Sequence, residues 1–204
     1  MDAEAHWEKV YATKAPTDVS WYQPDAELSL KLIRQAVPDP SAAIIDVGGG
    51  ASTLVDGLLA EGYGNVTVLD LSASALRQAA TRLGEDAGGV RWVEGDIRDA
   101  DLPVHAYDVW HDRAVFHFLT AAADRRRYVE QVLRAVKVGG HVLVATFASD
   151  GPTHCSGLEV ARYEPDELHA QFGSDFELLK SVREQHKTPS GAVQPFVYCM
   201  CRVG

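Results

Sequence analysis

A chain of 204 residues with 46% hydrophobic and 24% charged residues has the size and composition of one globular domain with its own core. A formal net charge of −10 and a pI near 5.2 argue against nucleic acid as a partner, because phosphate recognition needs a basic face. No apolar run approaches the roughly 18 residues of a membrane span, and "MDAEAHWEKVY" lacks the apolar centre of a secretion signal. The three cysteines, Cys155, Cys199 and Cys201, have no paired spacing. They are expected as reduced thiols of a cytosolic protein, without a metal site.

Residues 3 to 13 read as a short helix with Trp7, Val10 and Tyr11 on one face. "KAPTDVSWYQPD" is a loop punctuated by Pro16 and Pro24, and an amphipathic helix follows from Asp25 to just before Pro38. A regular alternation then begins. "SAAIIDVG" is a buried strand, with a helix over about 52 to 62. "NVTVLDLS" is the second strand, with a helix over about 73 to 83. "GVRWVEGD" and "AYDVWHDR" are the third and fourth strands; the helix "DRRRYVEQVLRAV" leads to a fifth, "GGHVLVATFA". The basic run Arg125, Arg126 and Arg127 in that helix reads as a solvated face. A helix over "EPDELHAQF" precedes two strands, "FELLKSVREQHKT" and "VQPFVYCMCRV", joined by the turn signal "PSGA".

Strands alternating with helices predict an α/β fold, a Rossmann-like, mostly parallel sheet covered on both faces. Two closing strands with no helix between them predict a C-terminal antiparallel hairpin, giving seven strands. The chain is expected as a single domain. Residues 1–40 form a helical cap or lid, 41–150 a ligand-binding core, and 151–204 a substrate loop and the hairpin.

The stretch "IIDVGGGAST" places three glycines between the first strand and its helix. Such a turn lets a ligand approach the backbone at the carboxyl end of the sheet, where free helix N–H groups converge. Asp46 at the strand end repels phosphate and suits a cation or a hydrogen-bond donor. Asp70 closes the second strand, 24 residues after Asp46, where a carboxylate can grip the two ribose hydroxyls of an adenosine. Asp96 follows the third strand and can accept from an adenine amino group, with Ile97 packed against the ring.

That ordered set resembles the class I S-adenosylmethionine-dependent methyltransferases over nearly the whole chain. "IIDVGGGAST" resembles their first motif, with Gly48 and Gly50 at two glycine positions and Ser52 in place of the third, where it can cap the helix. "VTVLDLS" resembles the ribose motif and carries it to Asp70 and Leu71; "EGDIRD" resembles the adenine motif and carries it to Asp96 and Ile97. "LRAVKVGGHVLVATF" is similar to the usual helix, Gly-Gly turn and fifth strand, with Val138 where proline is common. The resemblance implies S-adenosylmethionine as cofactor, with Asp46 beside its ammonium group, and methyl transfer to a small-molecule acceptor. A protein-lysine acceptor and a non-catalytic cofactor-binding module are the alternatives. A nicotinamide reductase is excluded by Thr53 at its last glycine position and by the missing Tyr-x-x-x-Lys.

On the acceptor side, Trp7 and Tyr11 are read as packing, and Trp21 as a lid residue over the cofactor, as in members resembling thiopurine and some lysine methyltransferases. His117, Asp112 and Arg113, in "HDRAVFHFLT", are the expected catalytic residues. His117 can serve as the base for an acceptor that must lose a proton, or pack as a helix residue beside the cofactor; Asp112 and Arg113 can pair with each other or touch cofactor and substrate, and Arg113 can pair with a substrate carboxylate. His154 and Cys155 are further contact candidates, and His186 and Lys187 are read as solvated.

Overall fold

Ala43–Val47 form β1, every residue of it buried. In the computed structural model, which describes residues 3–204, β1 lies between two parallel neighbours. These are β2 (Asn65–Asp70) and β4 (Tyr107–Arg113). The pleat sends Ile44 into a core with Leu32, Leu54 and Leu58, and Ile45 to the opposite face with Trp110 and Tyr128. Both faces are therefore covered, which explains the continuous apolar run where an exposed sheet would alternate.

β3 (Val90–Glu94) pairs with β2, and β5 (Val136–Phe147) with β4, all parallel. Two short strands, β6 (His154–Cys155) and β7 (Leu158–Glu159), form a separate small sheet. β8 (Phe176–Lys187) and β9 (Val193–Val203) form the closing hairpin. β9 inserts beside β5 and runs against it, giving the order β3-β2-β1-β4-β5-β9-β8. The expected seven-stranded sheet and its antiparallel hairpin are thus present. The order reverses between β1 and β4, and a ligand cleft opens at such a point beyond the strands' carboxyl ends.

The helices are α1 (Ala3–Thr13), α2 (Glu27–Ala36), α3 (Leu54–Ala60), α4 (Ala73–Leu83), α5 (Ala122–Ala135) and α6 (Pro165–Ala170). α3 begins two residues later than its pattern predicts, because the Ser52 hydroxyl accepts from Leu54 N at 3.1 Å and occupies the turn ahead of the helix. α2 likewise begins at Glu27, not Asp25. β5 begins at Val136, ahead of the Gly-Gly turn. The β6–β7 sheet has no sequence periodicity to announce it. Ser156 and Gly157 both take positive φ, 51° and 80°, as a two-residue hairpin turn requires. Among the described residues, no helix is long and apolar enough to cross a membrane.

α1 is fixed to the N-terminus of α4. The Glu8 carboxylate accepts from Ser72 Oγ at 2.6 Å, from Ser74 N at 3.1 Å and from the Ser74 hydroxyl. These bonds hold the Glu8 carboxyl down at about 2. Gln78 Nε2 donates to Tyr11 O at 2.7 Å, tying the same helix a turn further on.

Candidate functional site

The three glycines each answer a different constraint. Gly48 has a φ of +67°, and a β-carbon there would lie 2.0 Å from Val115 Cγ2. A β-carbon at Gly49 would meet Asp46 Oδ2 at 2.3 Å, and one at Gly50 would meet Asp70 Oδ2 at 2.5 Å. The turn is therefore pressed directly onto two carboxylates. Gly48 N donates to Leu69 O at 2.7 Å, which fixes the turn over the end of β2.

A cavity of about 650 Å³ opens above these strand ends. Gly48, Asp70, Leu71, Asp96 and Ile97 lie on its wall, so five residues expected to bind cofactor come together. Asp70 is buried and accepts from Ser72 N at 2.8 Å. Burial, aided by the nearby Asp46 charge, raises its pKa to about 7, even though hydrogen bonds from Ser72 and Gly50 pull the other way. Asp96 is not a free acceptor. Burial would raise its pKa, but Arg98 bonds both of its oxygens, at 2.5 to 3.0 Å, and holds it below the usual value. Arg98 also pairs with Asp124 at 2.9 Å. Gly50 stands off the wall and acts through Asp70.

Asp46 lines a smaller adjoining recess of about 50 Å³, which shares Tyr11, Trp21, Gly48 and Arg113 with the main cavity. Its Oδ1 accepts from His111 Nδ1 at 2.7 Å, while Oδ2 is buried without a partner. His111 Nε2 lies 2.9 Å from Ser29 Oγ. Ser29 carries no sequence signal, since a serine within an amphipathic helix reads as ordinary.

The roof comes from the N-terminus. Trp7, Tyr11 and Trp21 all line the main cavity, so Trp7 and Tyr11 do more than pack α1. Trp7 meets Trp21 edge-on at 5.6 Å and Phe118 at 5.1 Å. Arg113 ties this strap down. It donates to Trp21 O at 3.3 Å and to Tyr198 Oη at 2.9 Å, pairs with Glu184 at 3.2 Å, and lies 4.2 Å from the Phe196 ring centre. Gln23 donates to the other Glu184 oxygen, and His186 Nε2 donates to Ser20 O at 2.8 Å. His186 is consequently buried, contrary to the solvated position expected for a hairpin residue.

Two of the three expected catalytic residues stand off the cavity wall. Asp112 is fully buried and does not pair with Arg113. It accepts from Tyr128 Oη at 2.6 Å and from Val115 N at 2.9 Å, and Phe116 N also reaches it. These bonds brace the turn in which Ala114 takes a φ of 73°. Burial raises the Asp112 carboxyl to about 6. His117 is fully buried against Phe118 and Phe147, its two ring nitrogens have no partner, and burial pushes its pKa down to about 3. A proton acceptor needs contact with the reacting group, which neither side chain has here. Arg113 does line the cavity, as does Cys155, whose thiol burial pushes up to about 11. His154 is exposed and bonded to Thr153.

Residues 44–140 match the family model described as a methyltransferase domain. An uncharacterized methyltransferase of Mycobacterium tuberculosis is 32% identical over 131 residues, which are 62% of this chain and 60% of that protein. The chain thus spans about 60% of the length of that relative. Human EEF1A lysine methyltransferase 2 is 22% identical over 89% of this chain and 77% of its own length. The solved Burkholderia thailandensis 1,6-didemethyltoxoflavin-N1-methyltransferase, with bound 1,6-didemethyltoxoflavin and S-adenosylhomocysteine, overlays with a TM-score of 0.67. It covers 98% of this chain and 84% of its own, at 20% identity. These relatives do not narrow the match to the thiopurine subgroup. Residues 44–140, which carry the glycine turn on two carboxylates, are thus similar to a methyltransferase domain, and the overlay shows a shared fold over the chain.

Proposed function

We propose that this chain binds S-adenosylmethionine and transfers its methyl group to a small-molecule acceptor. The observation that carries this reading is Asp70, a buried carboxylate under Gly50 on the wall of a 650 Å³ cavity. Such a group is costly to ionise unless hydroxyl donors reach it, and two ribose hydroxyls are suitable donors. S-adenosylmethionine, when bound, supplies a methyl carbon made electrophilic by a sulfonium sulfur.

The chain's own residues then bind, orient and exclude water. Leu71 and Ile97 give the adenine an apolar slot, and Asp96 accepts from its amino group while shared with Arg98. Asp46 offers negative charge to the ammonium of the amino acid tail. Trp7, Tyr11 and Trp21 close the site and present ring faces, which attract a cation. Pairing with Glu184 offsets the Arg113 charge near that cation. An acceptor that is already an unprotonated amine or a thiolate needs positioning alone, so no buried histidine is required.

The roofed, aromatic cavity favours a small acceptor over a polymer, and Arg125 and Arg127 are engaged by Gln171 and Asp99, which supports a reading without nucleic acid. Three buried free thiols suit the cytosol. The human lysine methyltransferase relative supports a second reading, a protein lysine acceptor. Labelled methyl transfer into a panel of small amines, thiols and phenols, set against transfer into cell proteins, separates the two.

Calorimetric titration with S-adenosylmethionine tests the core of the reading. Affinity should rise as the pH passes about 7, because below it binding must first release the Asp70 proton. Asp70→Ala should weaken binding by more than about tenfold. A folded protein that binds no S-adenosylmethionine at any pH overturns the proposal.

A further inference from the structure

We infer that His111, held in turn by Ser29, is a positioning residue that fixes Asp46 to recognise the α-ammonium group of the cofactor's amino acid tail. The inference rests on the cofactor reading above and goes beyond it, to residues in none of its binding motifs.

Three elements meet here. Asp46 is on β1 and His111 directly across from it on β4, as register partners; Ser29 comes from α2. All three are buried. The hydrogen bonds run from Ser29 through His111 to Asp46. An ionised carboxylate accepts only, so the proton on His111 Nδ1 points at Oδ1. Ser29 Oγ then meets Nε2 and holds the ring from its other side.

One carboxylate oxygen is thus held, and the other is left without a partner on the wall of the small recess. A buried carboxylate with an unused oxygen, close to a second carboxylate, calls for a cation. Arg113 also lines the recess, but its guanidinium is engaged by Tyr198, Trp21 O and Glu184, which leaves Asp46 as the charge offered to a ligand there. The arrangement is set before any ligand arrives, so little reorganisation is needed on binding.

The test compares two ligands on the full chain by calorimetry. S-adenosylhomocysteine carries the amino acid tail; 5′-methylthioadenosine shares the nucleoside and lacks it. His111→Leu should weaken S-adenosylhomocysteine about tenfold or more while changing 5′-methylthioadenosine less than about twofold. His111→Asn, which keeps a donor near the Nδ1 position, should restore most of that affinity, and Ser29→Ala should fall between. Equal weakening of both ligands, or no weakening of either, overturns the positioning role. Should His111→Leu not fold, the Asn and Ala variants carry the same comparison. Wild-type protein that binds 5′-methylthioadenosine but not S-adenosylhomocysteine also overturns it, whereas failure to bind either ligand removes the cofactor reading itself.

Discussion

The floor of the cavity and its roof are built on different principles. The floor consists of strand ends and the turns that follow them: Gly48 after β1, Asp70 at the end of β2 with Leu71 after it, Asp96 and Ile97 after β3. Each piece is local, and the parallel sheet brings the pieces side by side. The roof and the far wall join residues distant in the chain: Trp7 and Trp21, Arg113 at the end of β4, Cys155 on β6, and Glu184 on β8. The floor leaves no room around its glycines. The roof is tied on by side-chain hydrogen bonds and ion pairs, those of Glu8 on α1 and of Arg113 and Glu184 beneath the strap. The floor is thus set by the sheet itself, and the roof by segments laid over it.

Gly48→Ala should break the floor most severely. The added carbon meets Val115 at 2.0 Å, and the left-handed backbone adds strain. Together these should cost about 3–4 kcal/mol in urea unfolding, with cofactor binding lost. Retained stability would mean that the turn is looser than its contacts imply.

Asp112→Ala tests the wall between floor and roof. It strands the Tyr128 hydroxyl and the N–H groups of Val115 and Phe116. A loss of about 3 kcal/mol is expected, with a rise in KM for the acceptor exceeding any effect on cofactor affinity. A large fall in kcat with unchanged stability would instead return Asp112 to the chemistry.

His117→Phe should have the smallest effect and the opposite sign. The buried ring leaves two nitrogens unpartnered, so replacing it with carbon should stabilise the fold by about 1 kcal/mol. The sign with pH follows from the pKa, which falls from 6.5 unfolded to about 3 folded. The unfolded chain binds the extra proton in that window, so stability falls as pH drops from 6.5 toward 3. His117→Phe should lessen that acid loss in thermal melts across the window. Lost turnover with an unchanged melt would assign His117 a role in proton transfer.

Much of the floor was legible because strand periodicity and strand-end acids are local signals. "IIDVGGGAST" announces both a buried strand and a close approach to its turn. The sequence left His117 between a catalytic and a packed position. A histidine just beyond a strand's carboxyl end has the right address for catalysis, and only packing against Phe118 and Phe147 removes it from the cavity. Asp112 and Arg113 are adjacent in sequence yet take different partners, since successive strand residues point to opposite faces. Ser29, Glu184 and Tyr198 carry no motif, and become site residues only when α2 and the hairpin close over β4.

By itself the sequence determined the alternation of strands and helices, the seven-stranded sheet, the glycine turn and the order of the acidic marks, because each is assembled from patterns local to one strand, helix or turn. Only the tertiary structure decided which charges are paired, which oxygen is left without a partner, and which aromatic rings roof the cavity. Those depend on burial and on contacts between residues more than a hundred positions apart in places, such as Gln23 and Glu184, and no local pattern encodes them.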